Sequence, residues 1–325
     1  MRNSLVGCIM VFTAFGSVHA AQFLNEPYLS FAGEMQQNII TLPDGRLAVE
    51  IDDMRFLVRG PQKSVSEGTA WTGGVVYYHF DGSVDADDGG VLSGDGAARR
   101  TAFRDAADEW ANTVPGLTFV EGMGAGNYIL VKSAGGNNSF VGMITGAQDL
   151  NIASWLNRFV IAHEIGHALG LLHEQSRTDR NTYVSVFFAN ILDDREDNYA
   201  TSPASSSHGP YDYGSVMHYG RCAFWDDAAG TCGTDGFTLS AVPAGAASVG
   251  MTESGANAVM GQAYELSSGD ISGVRSTYPS GPDAIFSDGV DAGHTRSWSN
   301  SVGEEIICAH DFCAIGVALH PTCDT

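Results

Sequence analysis

The sequence contains one stretch, His163-Glu164-Ile165-Gly166-His167-Ala168-Leu169-Gly170-Leu171-Leu172-His173, that constrains the fold more than any other part of the chain. Its pattern is H-E-x-x-H-x-x-G-x-x-H. On an α-helix, residues four apart lie on one face, so His163 and His167 can direct both imidazoles at one ion. Gly170 can adopt the positive φ that ends a helix, and the following turn can bring back His173. The stretch therefore predicts a buried helix that carries a metal site.

The donor set of this stretch also predicts a chemistry. Three nitrogens, from His163, His167 and His173, leave the fourth position of a tetrahedral zinc ion open for water. Zinc lowers the pKa of such a water to about 7, and Glu164 can accept its proton as it attacks a carbonyl. We expect one catalytic zinc ion with Glu164 as general base. The rival interpretation is a non-catalytic secreted binding protein with a structural zinc, but such a site needs no base.

The charge balance excludes one class of partner. The chain has 325 residues and a formal net charge of −22, from 38 acidic and 16 basic residues. Lys63 and Lys132 are its lysines, and no basic stripe exists to neutralise phosphates. We therefore expect no nucleic-acid partner.

The N-terminus has the features of a signal peptide. Arg2 supplies the positive start, residues 5–15 are mostly apolar, and Val18-His19-Ala20 fits the small-x-small cleavage pattern before Ala21. The apolar stretch is too short to span a bilayer. We expect a secreted, extracellular protein without a membrane segment, or a periplasmic one if the source is a Gram-negative bacterium.

The patterning along the chain divides it into a preface, from residue 21 to about residue 68, a main domain, and a tail of about 45 residues at the C-terminus. Apolar and turn residues predict strand, turn and strand over residues 39–51, and residues 60–68 have the composition of an exposed linker. The main domain is expected to contain a strand at 75–80, an amphipathic helix at 97–114, strands at 117–120 and 128–131, the histidine-bearing helix, and a short helix within 266–278. The main domain is expected to end at the turn-forming residues Ser280-Gly281-Pro282, and the tail follows.

Export permits disulfides, and five cysteines follow the signal peptide. Cys222 and Cys232 flank a short loop and can pair locally. Cys308, Cys313 and Cys323 lie together near the C-terminus, which leaves one thiol over or paired between chains.

Two further features produce a family resemblance. The third histidine is followed at once by Glu174, and Met217 lies downstream within Ser215-Val216-Met217-His218-Tyr219. With the histidine stretch, these closely resemble the astacin family of secreted zinc endopeptidases, in the metzincin clan. Segments in the tail, such as Ile285-Phe286-Ser287-Asp288-Gly289, are similar to those of bacterial secreted proteins, so we expect a bacterial member. Another metzincin branch is the alternative.

The resemblance implies a fold and a division into domains. The fold would be α+β, zincin-like, with a twisted sheet and two long helices above, an irregular lower subdomain, and zinc in the cleft between them. The domains would be a signal peptide at 1–20, a propeptide at 21–68, a catalytic domain at 69–279 and a C-terminal tail at 280–325. Protein or peptide substrates would bind along the strand that follows Lys132.

The resemblance also implies roles for single residues. Met217 would form a turn beneath the zinc, Tyr219 would assist at the oxyanion, and Glu174 would accept the amino group of the mature N-terminus. The propeptide would act as the protein's own inhibitor. Astacin propeptides often place the aspartate of a Phe-x-Gly-Asp motif on the zinc, and the matching stretch here, Phe31-Ala32-Gly33-Glu34, makes Glu34 the candidate latch.

Overall fold

The computed structural model describes residues 39–59, 64–66, 68–124, 126–202 and 208–279, together with three short strands of the tail. The strands of the preface and main domain are β1 (Ile39–Thr41), β2 (Leu47–Ile51), β3 (Met54–Arg59), β4 (Ser64–Ser66), β5 (Val75–Phe80), β6 (Thr118–Glu121), β7 (Tyr128–Ser133), β8 (Asn138–Phe140), β9 (Ala147–Ile152), β10 (Val184–Val186) and β11 (Leu239–Ala241). The helices are α1 (Gly96–Thr113), α2 (Arg158–Ala168), α3 (Pro243–Ser248), α4 (Glu253–Val259) and α5 (Ser268–Thr277). The tail strands are β12 (Arg296–Ser299), β13 (Glu305–Ala309) and β14 (Phe312–Ile315), which pair with one another.

The first nine strands form one sheet in the order β1-β2-β3-β8-β9-β7-β5-β6, with β4 paired to β3. Strands β5, β6, β7 and β9 run parallel, whereas β8 is antiparallel to β9. Strand β8 is thus the last strand of the main domain's part of the sheet. The preface extends the sheet past this edge, because β3 pairs with β8 in parallel through Met54↔Ser139 and Arg55↔Phe140.

The two long helices pack against the sheet and build the main core. Asp95 caps α1 by accepting from the Ala98 amide at 2.9 Å, and the apolar stripe of the helix buries Phe103 and Trp110 completely. The Trp110 indole N–H donates to the Ala162 carbonyl of α2 at 2.9 Å. This bond ties the predicted amphipathic helix to the helix that carries the histidines.

The region after α2 is poor in regular structure, as expected. Strands β10 and β11 pair antiparallel, and short helices surround a second core rich in tyrosine, including Tyr199, Tyr211 and Tyr213. None of the helices in the described ranges is long and apolar enough to cross a membrane.

The preface contains more structure than its sequence predicts. The strand-turn-strand unit appears as β1 and β2, but β3 was not predicted. Its side chains Met54, Phe56 and Leu57 are at most 5% exposed, so both faces of the strand are covered. A strand covered on both faces lacks the alternation of apolar and polar residues that identifies a half-buried strand.

The described residues include one disulfide, Cys222–Cys232, which confirms the local pairing. The other three cysteines lie in the tail, where no side chain is described. Closing a loop of this length restricts the unfolded chain and stabilises the fold by about 3 kcal/mol. We expect the double variant Cys222→Ser/Cys232→Ser to lose about that free energy of unfolding in urea denaturation. An unchanged urea midpoint would contradict this expectation.

Candidate metal centre

Helix α2 presents the first two histidines because its ends are well defined. The Asn157 side chain caps its start by accepting from the Phe159 amide at 3.0 Å. The helix ends before Gly170, whose φ of 107° allows the chain to turn. The Gly170 amide donates to the His167 carbonyl at 2.8 Å. The turn leads to His173, as the glycine in the motif predicts.

The three predicted ligand histidines converge on one point, together with an aspartate of the preface. His163, His167, His173 and Asp53 each offer a ligand atom, and these four atoms lie within 4.8 Å of one another. The Asp53 oxygens lie 3.2 Å from His163 Nε2, 3.2 Å from His167 Nε2 and 3.1 Å from His173 Nε2. The Nε2 atoms of His163 and His173 are 3.4 Å apart. Within the described part of the chain, this is the one group of side chains suited to a metal.

These distances fit a tetrahedral zinc ion. Ligand atoms about 2.0 Å from a tetrahedral centre lie about 3.3 Å from one another, close to the observed 3.1–3.4 Å. Asp53 Oδ1 and His167 Nε2 are buried, and neither makes a hydrogen bond. Two buried polar atoms that lie 3.2 Å apart without a hydrogen bond between them indicate a cation in the native protein. The donor set therefore fits zinc.

Two of the imidazoles are oriented by hydrogen bonds from Nδ1, the ring nitrogen that faces away from the metal group. Nδ1 of His163 lies 2.7 Å from the Val216 carbonyl, and Nδ1 of His167 lies 2.8 Å from the Leu171 carbonyl. Because a carbonyl only accepts, Nδ1 carries the proton in both rings and Nε2 keeps its lone pair for the metal. His173 Nδ1 is buried and has no hydrogen-bond partner among the described residues.

Glu164 lies beside the histidines but outside the ligand group. Its side chain is buried, and Oε2 makes no hydrogen bond. Burial raises the pKa of Glu164 well above its ordinary value, and the carboxylates of Asp53 and Asp52 add to the rise. Burial by itself would also raise the pKa of Asp53, but the three imidazoles hold that pKa well below its ordinary value. Their surroundings thus raise the pKa of Glu164 and lower the pKa of Asp53.

Met217 packs against the helix that carries His163 and His167. A Cβ added to Gly166 of α2 would lie 2.8 Å from the Met217 sulfur, so the small residue inside the histidine motif makes room for this methionine. Asp270 of α5 fixes the turn before it, accepting from the Ser215 hydroxyl at 2.5 Å and the Val216 amide at 2.9 Å. The sequence analysis did not find this role of Asp270.

Tyr219 packs against the metal ligands and contacts the preface. Its ring centroid is 4.7 Å from that of His173, and its hydroxyl donates to the Asp52 carboxylate. Its backbone is held by two buried side chains, because Gln175 Oε1 accepts from the Tyr219 amide at 3.0 Å and His218 Nδ1 donates to the Tyr219 carbonyl at 2.8 Å. These two hydrogen bonds therefore fix the backbone that carries the phenol side chain.

His218 lies outside the group of metal-ligand side chains in the described residues. Burial lowers the pKa of His218 to about 4, so the ring is neutral and accepts from the Tyr211 hydroxyl at 2.8 Å.

Glu174 accepts from the Arg177 guanidinium at 3.1 Å and the Asp212 amide at 2.8 Å. Burial raises the pKa of Glu174 to about 7 against the effect of Arg177.

A family model for the Astacin family of peptidases matches residues 63–279, which is more than half of the chain. The chain belongs to the astacin family. Zinc metalloproteinase nas-31 of Caenorhabditis elegans is 37% identical over 156 residues, which make up 47% of this chain and 23% of that protein. Meprin A subunit beta of Rattus norvegicus is 41% identical over 120 residues, or 35% of this chain and 17% of the other. The chain thus matches under a quarter of the length of these two curated astacins.

A solved astacin structure agrees with the fold. High choriolytic enzyme 1, a hatching enzyme zinc-protease of the medaka Oryzias latipes, superposes with a TM-score of 0.51 and 26% sequence identity. The match covers 65% of this chain and 94% of that chain. The predicted α+β metzincin fold is confirmed, and another metzincin branch is set aside. Astacins are zinc metalloendopeptidases with one catalytic zinc, which confirms the predicted cofactor.

The astacin site contains two acidic residues that the sequence analysis missed, Asp52 and Asp53. They form the two-residue turn between β2 and β3, where Asp52 has a positive φ of 57°. The predicted latch, Glu34, lies outside the described residues, and in the described part of the chain the carboxylate at the histidines is that of Asp53. Two consecutive aspartates between apolar runs are a recognisable hairpin turn, and this signal could have drawn attention to them.

Proposed function

We propose that this astacin is a secreted endopeptidase that hydrolyses peptide bonds in proteins or peptides and is made as a zymogen. The observation that carries the proposal is the convergence of three histidine Nε2 atoms on one point beside the buried carboxylate of Glu164, whose Oε2 makes no hydrogen bond within the described residues. A non-catalytic binding protein is the second candidate. It is less well supported, because a buried carboxylate with an unpaired oxygen costs stability, and a structural zinc site gives no reason to keep one.

The proposed chemistry assigns a task to each residue of the site. Zinc, when bound, supplies a Lewis acid that acidifies water and polarises the scissile carbonyl. His163, His167 and His173 hold it. Glu164 takes a proton from the attacking water and returns it to the leaving amine. Tyr219 donates a hydrogen bond from its phenol to the oxyanion that develops on the substrate.

The latency of the proposed zymogen is explained by the preface residues that lie in the site. The β2–β3 turn brings Asp53 to the position of a fourth ligand, which excludes water from it, and brings Asp52 to the Tyr219 hydroxyl. Two consecutive residues therefore engage the metal group and the phenol at once. Strand β3 also covers the edge of β8, where an extended substrate would add as a strand. These contacts support a propeptide over residues 21–68 that acts as an inhibitor.

The proposed location rests on the N-terminal sequence. The charged start, the apolar run and the cleavage pattern before Ala21 support export. The Cys222–Cys232 disulfide agrees with an oxidising compartment. Residues 1–20 lie outside the described residues, so the signal peptide remains a proposal.

The proposed activity is tested with unfolded casein. The full chain is activated by limited proteolysis between the preface and the main domain, around residues 60–68, and incubated with casein, with and without a chelator. We expect cleavage at internal bonds that the chelator abolishes. A purified, activated chain that leaves casein intact would contradict the proposal and favour the binding protein.

A separate prediction concerns the phenol. Tyr219→Phe keeps the ring but removes the hydroxyl, and loss of one oxyanion donor lowers kcat about a hundredfold. The activated variant should bind zinc normally and cleave casein slowly. Tyr264→Phe is the matched control, because Tyr264 is 60% exposed and should keep full activity. Equal rates for the two variants would show that Tyr219 has no part in catalysis.

A further inference from the structure

Two small apolar clusters outside the main core join the preface to the main domain. Val141 is buried with Met54 and Phe56, and Leu172 packs against this group. Phe140 and Ile144 are buried with preface residues Leu42, Ala48 and Leu57. Phe140 and Val141 are each 1% exposed and Ile144 is 2% exposed. Their buried apolar neighbours in these clusters come largely from the preface, so removing it uncovers an apolar groove along β8, formed by Phe140, Val141, Ile144 and Leu172.

The groove is continuous with the metal site. The Ser139 amide donates to the Asp53 carbonyl at 2.8 Å, and the Val141 amide donates to the Arg55 carbonyl at 3.1 Å. Asp53, whose carboxylate reaches the histidines, thus lies at the Ser139 end of the strand. Both N–H groups become free for another extended chain once the preface leaves.

The strand direction determines which substrate residues would lie in the groove. Strand β3 runs parallel to β8 and begins directly after Asp53, whose carboxylate contacts the histidines. A peptide that pairs antiparallel with the same N–H groups runs from Val141 toward Ser139 and then reaches the histidines. Residues over this part of β8 therefore precede the scissile bond. Successive side chains point to opposite faces, so one meets Val141 and Leu172 while the next meets Phe140 and Ile144.

We infer that the groove is a pair of subsites that select large apolar side chains at the second and third residues before the scissile bond. The inference rests on the endopeptidase activity proposed above and adds a substrate class to it. The present occupants show the size that fits, since Met54 and Phe56 fill one surface and Leu57 the other. Transfer of such side chains from water is favourable in proportion to their apolar area, whereas an acidic side chain there would lose its hydration.

The test uses the full chain, activated by limited proteolysis, and peptides of one length that carry Phe, Gly or Asp at these two positions. We expect the Phe peptides to have a kcat/KM about tenfold above the Gly peptides, with the Asp peptides lowest. Val141→Thr keeps the side-chain shape and replaces a methyl group with a hydroxyl. It should reduce the ratio of kcat/KM for the Phe peptides to kcat/KM for the Gly peptides. Val91→Thr is the matched control, since Val91 is 39% exposed and belongs to neither cluster.

A second measurement separates this inference from the activity itself. Binding of fluorescein-labelled Phe and Gly peptides to the activated chain in chelator is followed by fluorescence polarisation. If the Phe peptide binds more tightly than the Gly peptide and Val141→Thr abolishes the difference, the groove is supported. If no peptide is cleaved at the same time, the proposed endopeptidase activity is wrong but the groove still stands. Cleavage of all peptides at equal kcat/KM, or selectivity only for residues after the scissile bond, overturns the groove and leaves the peptidase standing.

Discussion

Glu164→Gln is expected to lower the kcat for casein about a thousandfold, because general acid–base catalysis contributes on that order. Glutamine has nearly the same shape but cannot take a proton at neutral pH. Glu164 lies outside the group of four ligand atoms, so the variant should bind as much zinc as the parent. The loss should therefore appear in kcat, measured on the activated chain, with the zinc content unchanged.

Glu121→Gln provides the matched control for this substitution. Glu121 pairs with Arg104 at 2.7 Å, and both side chains are more than 40% exposed, so the pair contributes little to stability. This variant should cleave casein at the parental rate. If Glu164→Gln cleaves as fast as Glu121→Gln, the proposed role of Glu164 is wrong.

Asp53→Ala is expected to activate the uncleaved chain. The carboxylate of Asp53 contacts all three histidines, and removing one partner of a buried charged contact costs roughly 3 kcal/mol. Since about 1.4 kcal/mol corresponds to a factor of ten, the fraction of open molecules should rise about a hundredfold. Casein hydrolysis by the full-length variant should increase accordingly, with mass spectrometry confirming that the chain stays intact.

The control for this variant lies in the same preface. Among the described residues, Asp44 forms its ion pair with Arg46 in the turn between β1 and β2, and its side chain is 51% exposed. Asp44→Ala should stay as latent as the parent, and removal of the preface should raise the activity of both. An intact Asp53→Ala chain that shows no more activity than Asp44→Ala would show that Asp53 is not the latch.

The histidine group could be predicted from the sequence because its geometry is mostly local. His163 and His167 lie one helical turn apart, and His173 follows a glycine turn, so spacing alone brings the rings together. The amphipathic pattern of α1 and the pairing of Cys222 with Cys232 are local in the same sense. The zinc followed from the histidine spacing, whereas the overall fold was implied by the resemblance to astacins.

The contacts of the preface could not be predicted in this way. Asp53 reaches the histidines only because β3 pairs with β8, a register between strands far apart in the chain. Strand register depends on side chains from both partners and on the turn, and a shift of one residue would move Asp53 away. The sequence analysis therefore selected Glu34 by motif, whereas Asp52 and Asp53 lie in a turn without a family signature.

Zinc titration of the chelator-treated, activated chain tests the central claim most directly. The full chain is activated, stripped of metal, and returned to zinc in small steps while casein hydrolysis is recorded. We predict no activity without metal and a linear recovery that ends at one zinc per chain, since the described residues contain one suitable group. Activity that survives metal removal, or that zinc fails to restore, would contradict the proposal that His163, His167, His173 and Glu164 form a catalytic zinc site.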